Sequence, residues 1–119
     1  MADGLRGWPR LWRATRVSYQ GLAWVLRHEE AFRIEAALFC LLLPAAFWWG
    51  QTGAERALCV LSLVLVLVVE LLNTGIEVAI DRIGTERHEL SGVAKDVASA
   101  AVHLSLLQVP LVWAIVRFA

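Results

Sequence analysis

Cysteine is scarce in this chain of 119 residues, where Cys40 and Cys59 each stand alone in an apolar run. With no CxxC pair and no Cys/His ligand spacing, a zinc site and a dithiol redox motif are excluded, and both thiols are expected to be buried. Net charge is absent too. Eleven basic and eleven acidic side chains cancel, so no overall field argues for a nucleic-acid partner. There is no internal repeat, no low-complexity tract and no linker long enough to separate domains, which leaves a single domain over 1–119. The N-terminal segment lacks a continuous apolar core followed by a small-residue cleavage site, because arginines interrupt it. A cleavable signal peptide is therefore not expected, and the first membrane helix should direct insertion.

What is present is apolar bulk. Hydrophobic residues make up 59% of the chain and mean hydropathy is +0.62, too oily for a soluble fold of this size. Three apolar stretches, 34–50, 57–80 and 97–116, each approach the roughly 20 residues that cross a bilayer core. The first carries Pro44, which a membrane helix tolerates when neighbouring groups satisfy the freed backbone. Gly50 to Ala54 is a short connection, so the first two spans should form an antiparallel hairpin. Arg6, Arg10, Arg13, Arg16, Arg27 and Arg33 precede the first span, and Arg82, Arg87 and Lys95 lie between the second and third. Only Arg56 and Arg117 lie opposite. Basic flanks stay on the cytoplasmic side, so the N-terminus and the 81–96 loop are expected there and the C-terminus outside. Trp48, Trp49 and Trp113 fit interfacial anchors near the outer face.

Residues 5–28 read as an amphipathic surface helix. Leu5, Trp8, Trp12, Thr15, Tyr19, Leu22 and Leu26 recur at helical steps, while Arg6, Arg10, Arg13 and Gln20 fall on another face. Such a helix lies in the membrane interface, where it could serve simply as an anchor against anionic lipid. Gly21 marks a potential bend.

Glu70 is the most informative residue, because a carboxylate inside an apolar span is costly and is by default a functional candidate. Asn73, Thr74, Glu77 and Asp81 follow it on one stripe of the same helix. Glu70 and Glu77 are two turns apart, roughly 10 Å of rise. They are too far apart to share one ion directly and are suited to separate roles, one taking a proton and the other holding a metal. The alternative is that the stripe glues helices together, as polar groups do in membrane bundles. At the junction of surface helix and first span sit Glu29, Glu30, Arg33 and Glu35. If the surface helix folds over the bundle, Glu29 meets Glu77, and two carboxylates suit a Mg²⁺ that also binds substrate phosphates. The tract from Asp81 to Asp96 mixes acids, bases, glycines and His88, and reads as a solvated loop. Its Ser91-Gly92-Val93-Ala94-Lys95 is not a P-loop, and neither HRD nor DFG occurs. His28, His88 and His103 form no metal-ligand pair at helical spacing.

Across Val69-Glu70-Leu71-Leu72-Asn73-Thr74-Gly75-Ile76-Glu77, Asp81-Arg82-Ile83-Gly84 and His88-Glu89-Leu90-Ser91-Gly92-Val93-Ala94-Lys95-Asp96, the sequence resembles the prokaryotic diacylglycerol kinase family. The likeness extends over almost the whole chain, including Glu29, Ala31-Phe32-Arg33, Glu35, Ser99 and Trp113. It implies an all-α membrane protein of the bacterial inner membrane, with three transmembrane helices and an N-terminal surface helix. A homotrimer with shared active sites near the cytoplasmic surface is also implied. Within this resemblance Glu70 is the general base for phosphorylation of diacylglycerol by ATP, Asn73 supports the catalytic centre, and Glu29 and Glu77 hold Mg. Arg10, Glu86, His88, Lys95 and Asp96 match nucleotide-binding positions, alongside Glu29 and Glu77. Arg10, Ala14, Ser18, Ala31, Phe32, Arg33, Glu35, Trp48, Arg56, Glu70, Ser99 and Trp113 match positions of the lipid path. Val17 and Arg87 stand where relatives can carry tyrosine, which alters nucleotide contacts there. Three other functions compete: an undecaprenol kinase of the same chemistry, a small proton-coupled exporter using Glu70, and a non-catalytic assembly subunit held by polar helix contacts.

Overall fold

The computed structural model describes residues 6–84 and 88–119. Leu5, Glu86 and Arg87, to which the sequence assigns roles, lie outside those residues. The described chain is entirely helical: α1 (Trp8–His28), α2 (Glu30–Trp49), α3 (Gly53–Ile83) and α4 (Glu89–Phe118). The last three are long and apolar enough to cross a membrane. Each runs beyond the apolar stretch read from the sequence, because a helix continues through its charged ends wherever caps permit.

The cap chemistry explains the boundaries. Gly7, at φ 68°, turns the chain into α1 from a backbone region that side chains disfavour, and a proline occupies the first turn. The helix is unbroken at Gly21. It ends at Glu29, whose extended backbone (φ −116°, ψ 107°) is at once the C-cap of α1 and the N-cap of α2. Two consecutive helices are thus joined through one residue. Between α2 and α3, Thr52 accepts from Glu55 N–H at 3.1 Å and Glu55 accepts from Gln51 N–H at 2.9 Å, a reciprocal N-terminal cap. The tract 81–96, expected as a loop, is mostly helical. Residues 81–83 finish α3, and His88 caps α4 by accepting from Leu90 N–H at 3.1 Å, so that 89–96 become its first two turns. Charged residues around single glycines carry no apolar periodicity, which is why this extension is invisible to pattern reading.

The central helix is α3, which packs against α4 and α2 along its length and meets α1 near one end. Ala46, Cys59 and Leu63 form a buried cluster with Trp49, Val109 and Trp113 around it, at the end of the bundle that holds the 50–52 turn. Cys59 is buried as expected, whereas Cys40 is exposed on α2, on a face that has no neighbour within the protomer. Polar bonds cross the apolar spans here. Trp113 Nε1 donates to Ser62 Oγ at 2.9 Å, and Gln108 Nε2 donates to Ser62 O at 2.8 Å. Trp49 Nε1 in turn donates to Trp113 O at 2.8 Å. In hydrocarbon such bonds are worth about 0.6 kcal/mol on average, so they fix register more than they supply stability.

The α2–α3 hairpin is closed by contact with backbone. A Cβ on Gly50 would lie 2.6 Å from Arg56 N and 2.9 Å from its Cα, while the Gly50 φ of −73° is ordinary. The glycine is therefore required by proximity, not by its dihedral angles. Gly50→Ala is expected to destabilise the protein by about 1–3 kcal/mol. Thermal unfolding in detergent, followed by circular dichroism, measures this, and an unchanged midpoint would refute the close-packed hairpin.

Candidate active site

Helix α3 spans 31 residues, roughly 46 Å at 1.5 Å per residue, against a hydrocarbon core of about 30 Å. Counted from Gly53, a core of that thickness ends near Asn73, and counted from Ala57, where the apolar stretch begins, near Glu77. Glu70 thus sits one to two turns inside the far edge of the core, and Asp81 emerges beyond it.

The side chains follow that gradient. Glu70 is 6% exposed and Thr74 3%, while Asn73 and Glu77 are half-buried and Asp81 is exposed. Asn73 Nδ2 donates to Glu77 Oε1 at 3.3 Å, one turn along the same face, which orients that carboxylate. The charges of Glu77 and Glu29 both bear on Glu70, and that of Glu70 bears on Glu35. Carboxylates of α2, α3 and the α1–α2 junction thus act on one another through Glu70. Two acceptors in this region, Glu35 Oε2 and Asn73 Oδ1, are buried without a hydrogen-bond partner. Open acceptors of this kind are costly unless a donor arrives.

Fit to a divalent ion can be judged on the donors. Among the described residues no three His, Cys, Asp or Glu side chains converge. Glu29 and Glu77 are both half-buried, and the charges of both bear on Glu70. Two hard oxygen ligands would suit Mg²⁺ shared with water and a phosphate-bearing ligand better than a closed structural metal site.

Arg33 has a task the sequence does not signal. Its Nη1 donates to Leu26 O at 2.9 Å and to Arg27 O at 3.1 Å, capping the last carbonyls of α1. The arginine thereby holds the junction that carries Glu29. Phe32 is buried beside it and Ala31 is exposed. On α1, Arg10 and Ser18 are exposed and Ala14 is half-buried. A largely apolar cavity of about 410 Å³ separates α1 from α3, bounded by Ser18, Leu22, Val25, Leu71, Thr74 and Val78. A second, of about 200 Å³, runs among α2, α3 and α4 from Glu35 past Phe39, Val66 and Leu106 to Pro110.

At the exposed end, Lys95 Nζ donates to Asp81 Oδ1 at 2.8 Å and ties α4 to α3. Lys95 precedes the apolar stretch 97–116. The bond to Asp81 pushes its ammonium up from the ordinary value and keeps it charged. Next to this pair is a more polar cavity of about 310 Å³ lined by Ile80, Ile83, Gly84, His88, Leu90 and Ser91. Asp96 and Ser99 are exposed on α4, where Ser99 O is bonded to His103 Nδ1 at 3.0 Å. Asp81 is a partner the sequence places on the stripe without assigning it a role; its spacing from Lys95 crosses a turn and gives no local pattern.

Three residues expected on the lipid path stand at the end of the bundle remote from Glu70. Trp48, Arg56 and Trp113 are at the 50–52 end, with Arg56 roughly 20 Å from Glu70 along α3. Arg56 Nε donates there to Gly50 O at 3.0 Å, and Trp113 bridges α4 to α3.

A family profile described as prokaryotic diacylglycerol kinase matches residues 16–117. The diacylglycerol kinase of Haemophilus influenzae is 46% identical over 112 residues, covering 94% of this chain and 95% of that protein. That of Escherichia coli K12 is 41% identical over 121 residues, covering 100% and 98%. That of Pseudomonas aeruginosa PAO1 is 41% identical over 111 residues, covering 93% and 90%.

A carboxylate buried among like charges destabilises the fold that holds it. Glu70→Gln is therefore expected to stabilise the detergent-solubilised protein by about 1–2 kcal/mol. A lower unfolding midpoint for this variant would show that the carboxylate is a structural partner instead.

Proposed function

The chain belongs to the prokaryotic diacylglycerol kinase family, and on that premise we propose that Glu70 is the general base that activates the lipid hydroxyl. The reaction is transfer of the γ-phosphoryl group of ATP to the primary hydroxyl of diacylglycerol. Glu70 accepts the hydroxyl proton, the lipid oxygen forms the new P–O bond, the bond to the bridging oxygen of ADP breaks, and phosphatidic acid and ADP result. The observation that carries this reading is the burial of Glu70 within an apolar span, where the charges of Glu77 and Glu29 also bear on it. A base shielded from water and set at the edge of the hydrocarbon meets an alcohol that the membrane itself delivers.

Each neighbour has a separable part. Glu29 and Glu77 would hold Mg²⁺, which neutralises phosphate charge when bound. Asn73 keeps Glu77 in place through its 3.3 Å bond. Lys95, charged and steadied by Asp81, is positioned for the polyphosphate, and the cavity beside His88 is of a size for part of a nucleotide. Arg10, Glu86 and Asp96 belong to this nucleotide group by the family likeness alone. The open acceptor of Glu35 at the end of an apolar groove suits a glycerol hydroxyl with its acyl chain below it. Ser18 borders the companion cavity between α1 and α3, with Ala14 and Arg10 on the preceding turns of α1. The basic residues of the surface helix and of the 81–96 tract support a cytoplasmic position for this face, with the C-terminus outside.

Association of copies is supported by a second face of α3. Leu58, Leu61, Leu65, Val68, Leu72 and Ile76 are all exposed and recur at steps of three and four residues. This stripe lies away from the face that α2 and α4 cover, and its near-heptad repeat suits packing of α3 against α3. We read it as the core of a homotrimer in which neighbouring protomers complete each site. Leu65→Cys, in a chain whose own cysteines are replaced by serine, is expected to cross-link between protomers on oxidation. Cross-linking only at α2 positions would remove α3 from the interface.

The reaction is tested with purified protein, MgATP and a short-chain diacylglycerol, by following phosphatidic acid. Glu70→Gln, verified as folded, is expected to lose on the order of a hundredfold to ten-thousandfold in turnover. Phosphorylation of undecaprenol but not diacylglycerol would reassign the substrate, and no product from either lipid with folded protein would end the kinase reading.

A further inference from the structure

The third span carries an ionisable residue with no part in phosphoryl transfer. His103 stands within the apolar stretch 97–116 and is exposed on α4. An imidazole is costly at such a position, and residues of this kind mark substrate paths more often than lipid-facing surface. Two bonds that set α4 against α3 give its depth: Lys95 Nζ to Asp81 Oδ1 on one side of it and Gln108 Nε2 to Ser62 O on the other, both at 2.8 Å. Interpolating between them puts His103 about level with Glu70. At that level α4 borders the apolar groove that begins at Glu35. Leu106 and Pro110 line the groove, and they follow His103 by three and seven residues on the same flank of the helix.

This rim is rich in acceptors and poor in donors. His103 Nδ1 lies 3.0 Å from Ser99 O. A carbonyl only accepts, so Nδ1 carries the proton and Nε2 of the neutral ring is an acceptor. His103 makes no other bond among the described residues. Pro110 has no N–H, so the carbonyl of Leu106 is left without the amide that a helix ordinarily supplies. At the end of the groove, Glu35 Oε2 is buried without a partner. The other lining residues are leucine, phenylalanine, valine and proline, none of which offers a side-chain donor. Acceptors in hydrocarbon gain most from a ligand that brings donors with it, and a lipid with two hydroxyl groups brings more than a lipid with one.

We propose that His103 is a specificity-determining residue, whose Nε2 accepts a hydrogen bond from a second hydroxyl on the lipid alcohol that is phosphorylated. A monoacylglycerol has that hydroxyl at a position where diacylglycerol has an ester, and an ester offers only acceptors. The inference rests on the kinase reading and adds to it a preference among lipid alcohols.

The test measures kcat and KM of the full-length protein in detergent, in mildly alkaline buffer, for a monoacylglycerol and a diacylglycerol with the same acyl chain. His103→Leu should lower kcat/KM for the monoacylglycerol by about fivefold, through KM, and leave that for the diacylglycerol nearly unchanged. His103→Gln, whose amide oxygen also accepts, should recover most of the preference. An imidazole moved one position round the helix, by combining His103→Leu with Leu104→His, should not restore it. The leucine variant replaces a polar group in an apolar span by an apolar one, so it is suited to fold. The same ratio of the two kcat/KM values in wild type and His103→Leu would overturn the proposal and leave the kinase reading in place. An equal fall for both lipids would do the same, by marking the bond to Ser99 O as structural. No product from either lipid with folded wild-type protein would end both readings.

Discussion

A carboxylate held at the edge of the hydrocarbon is the constraint on which the rest of this protein depends. Water cannot solvate Glu70 in the bilayer, so protein must surround it, and three thin helices have few ways to do so. The helix that carries it therefore occupies the centre of the protomer, with α2 and α4 on its covered face and the start of α1 folded back toward its inner end. The same requirement gathers Glu29, Glu35 and Glu77 rather than dispersing them. A cluster of like charges is unfavourable in isolation and becomes sensible when a cation and a phosphate ester share the space. Stability is given up locally for a chemical environment, and the loss is confined to one end.

The two ends of the bundle are built on opposite terms. At the carboxylate end, acceptors stand open, cavities remain and the helices diverge around usable space. At the opposite end every indole nitrogen that the structure engages has found a carbonyl or hydroxyl, the turn is closed to the limit of backbone contact, and the small buried cluster is packed tightly. A rigid base and a receptive top suit an enzyme whose reactants enter from two phases, one through the membrane and one from water.

Much of this is legible in the sequence for identifiable reasons. Three apolar stretches in a short chain announce three spans, since hydrocarbon thickness leaves little freedom in length. Glu70 stands out because a charge within such a stretch has no bland explanation, and the glutamate-rich motif around it identifies a family whose members match along nearly the full chain. Other features leave no local trace. The pairing of Lys95 with Asp81 depends on how two helices close across a turn. Arg33 reads as one charge among several until its contacts with the end of α1 are seen. Trp48, Arg56 and Trp113 follow the lipid-path pattern by resemblance, and only helix rise shows that Arg56 stands roughly 20 Å from Glu70. Ser62 and Gln108 are modest polar residues within apolar runs, and only the packed helices reveal that they meet. The face that leaves Cys40 open belongs, like the leucine stripe of α3, to surfaces that a single chain cannot cover.

The joint at Glu29 has a consequence for how such a chain can change over generations. Because one extended residue separates two helices, it contains no slack. Adding or deleting a position there would turn everything on one side by about 100° relative to the other and swing a carboxylate out of the cluster. Side chains along α1 can drift. At the joint, the count of residues matters to the site as much as the identity of the acid that occupies it.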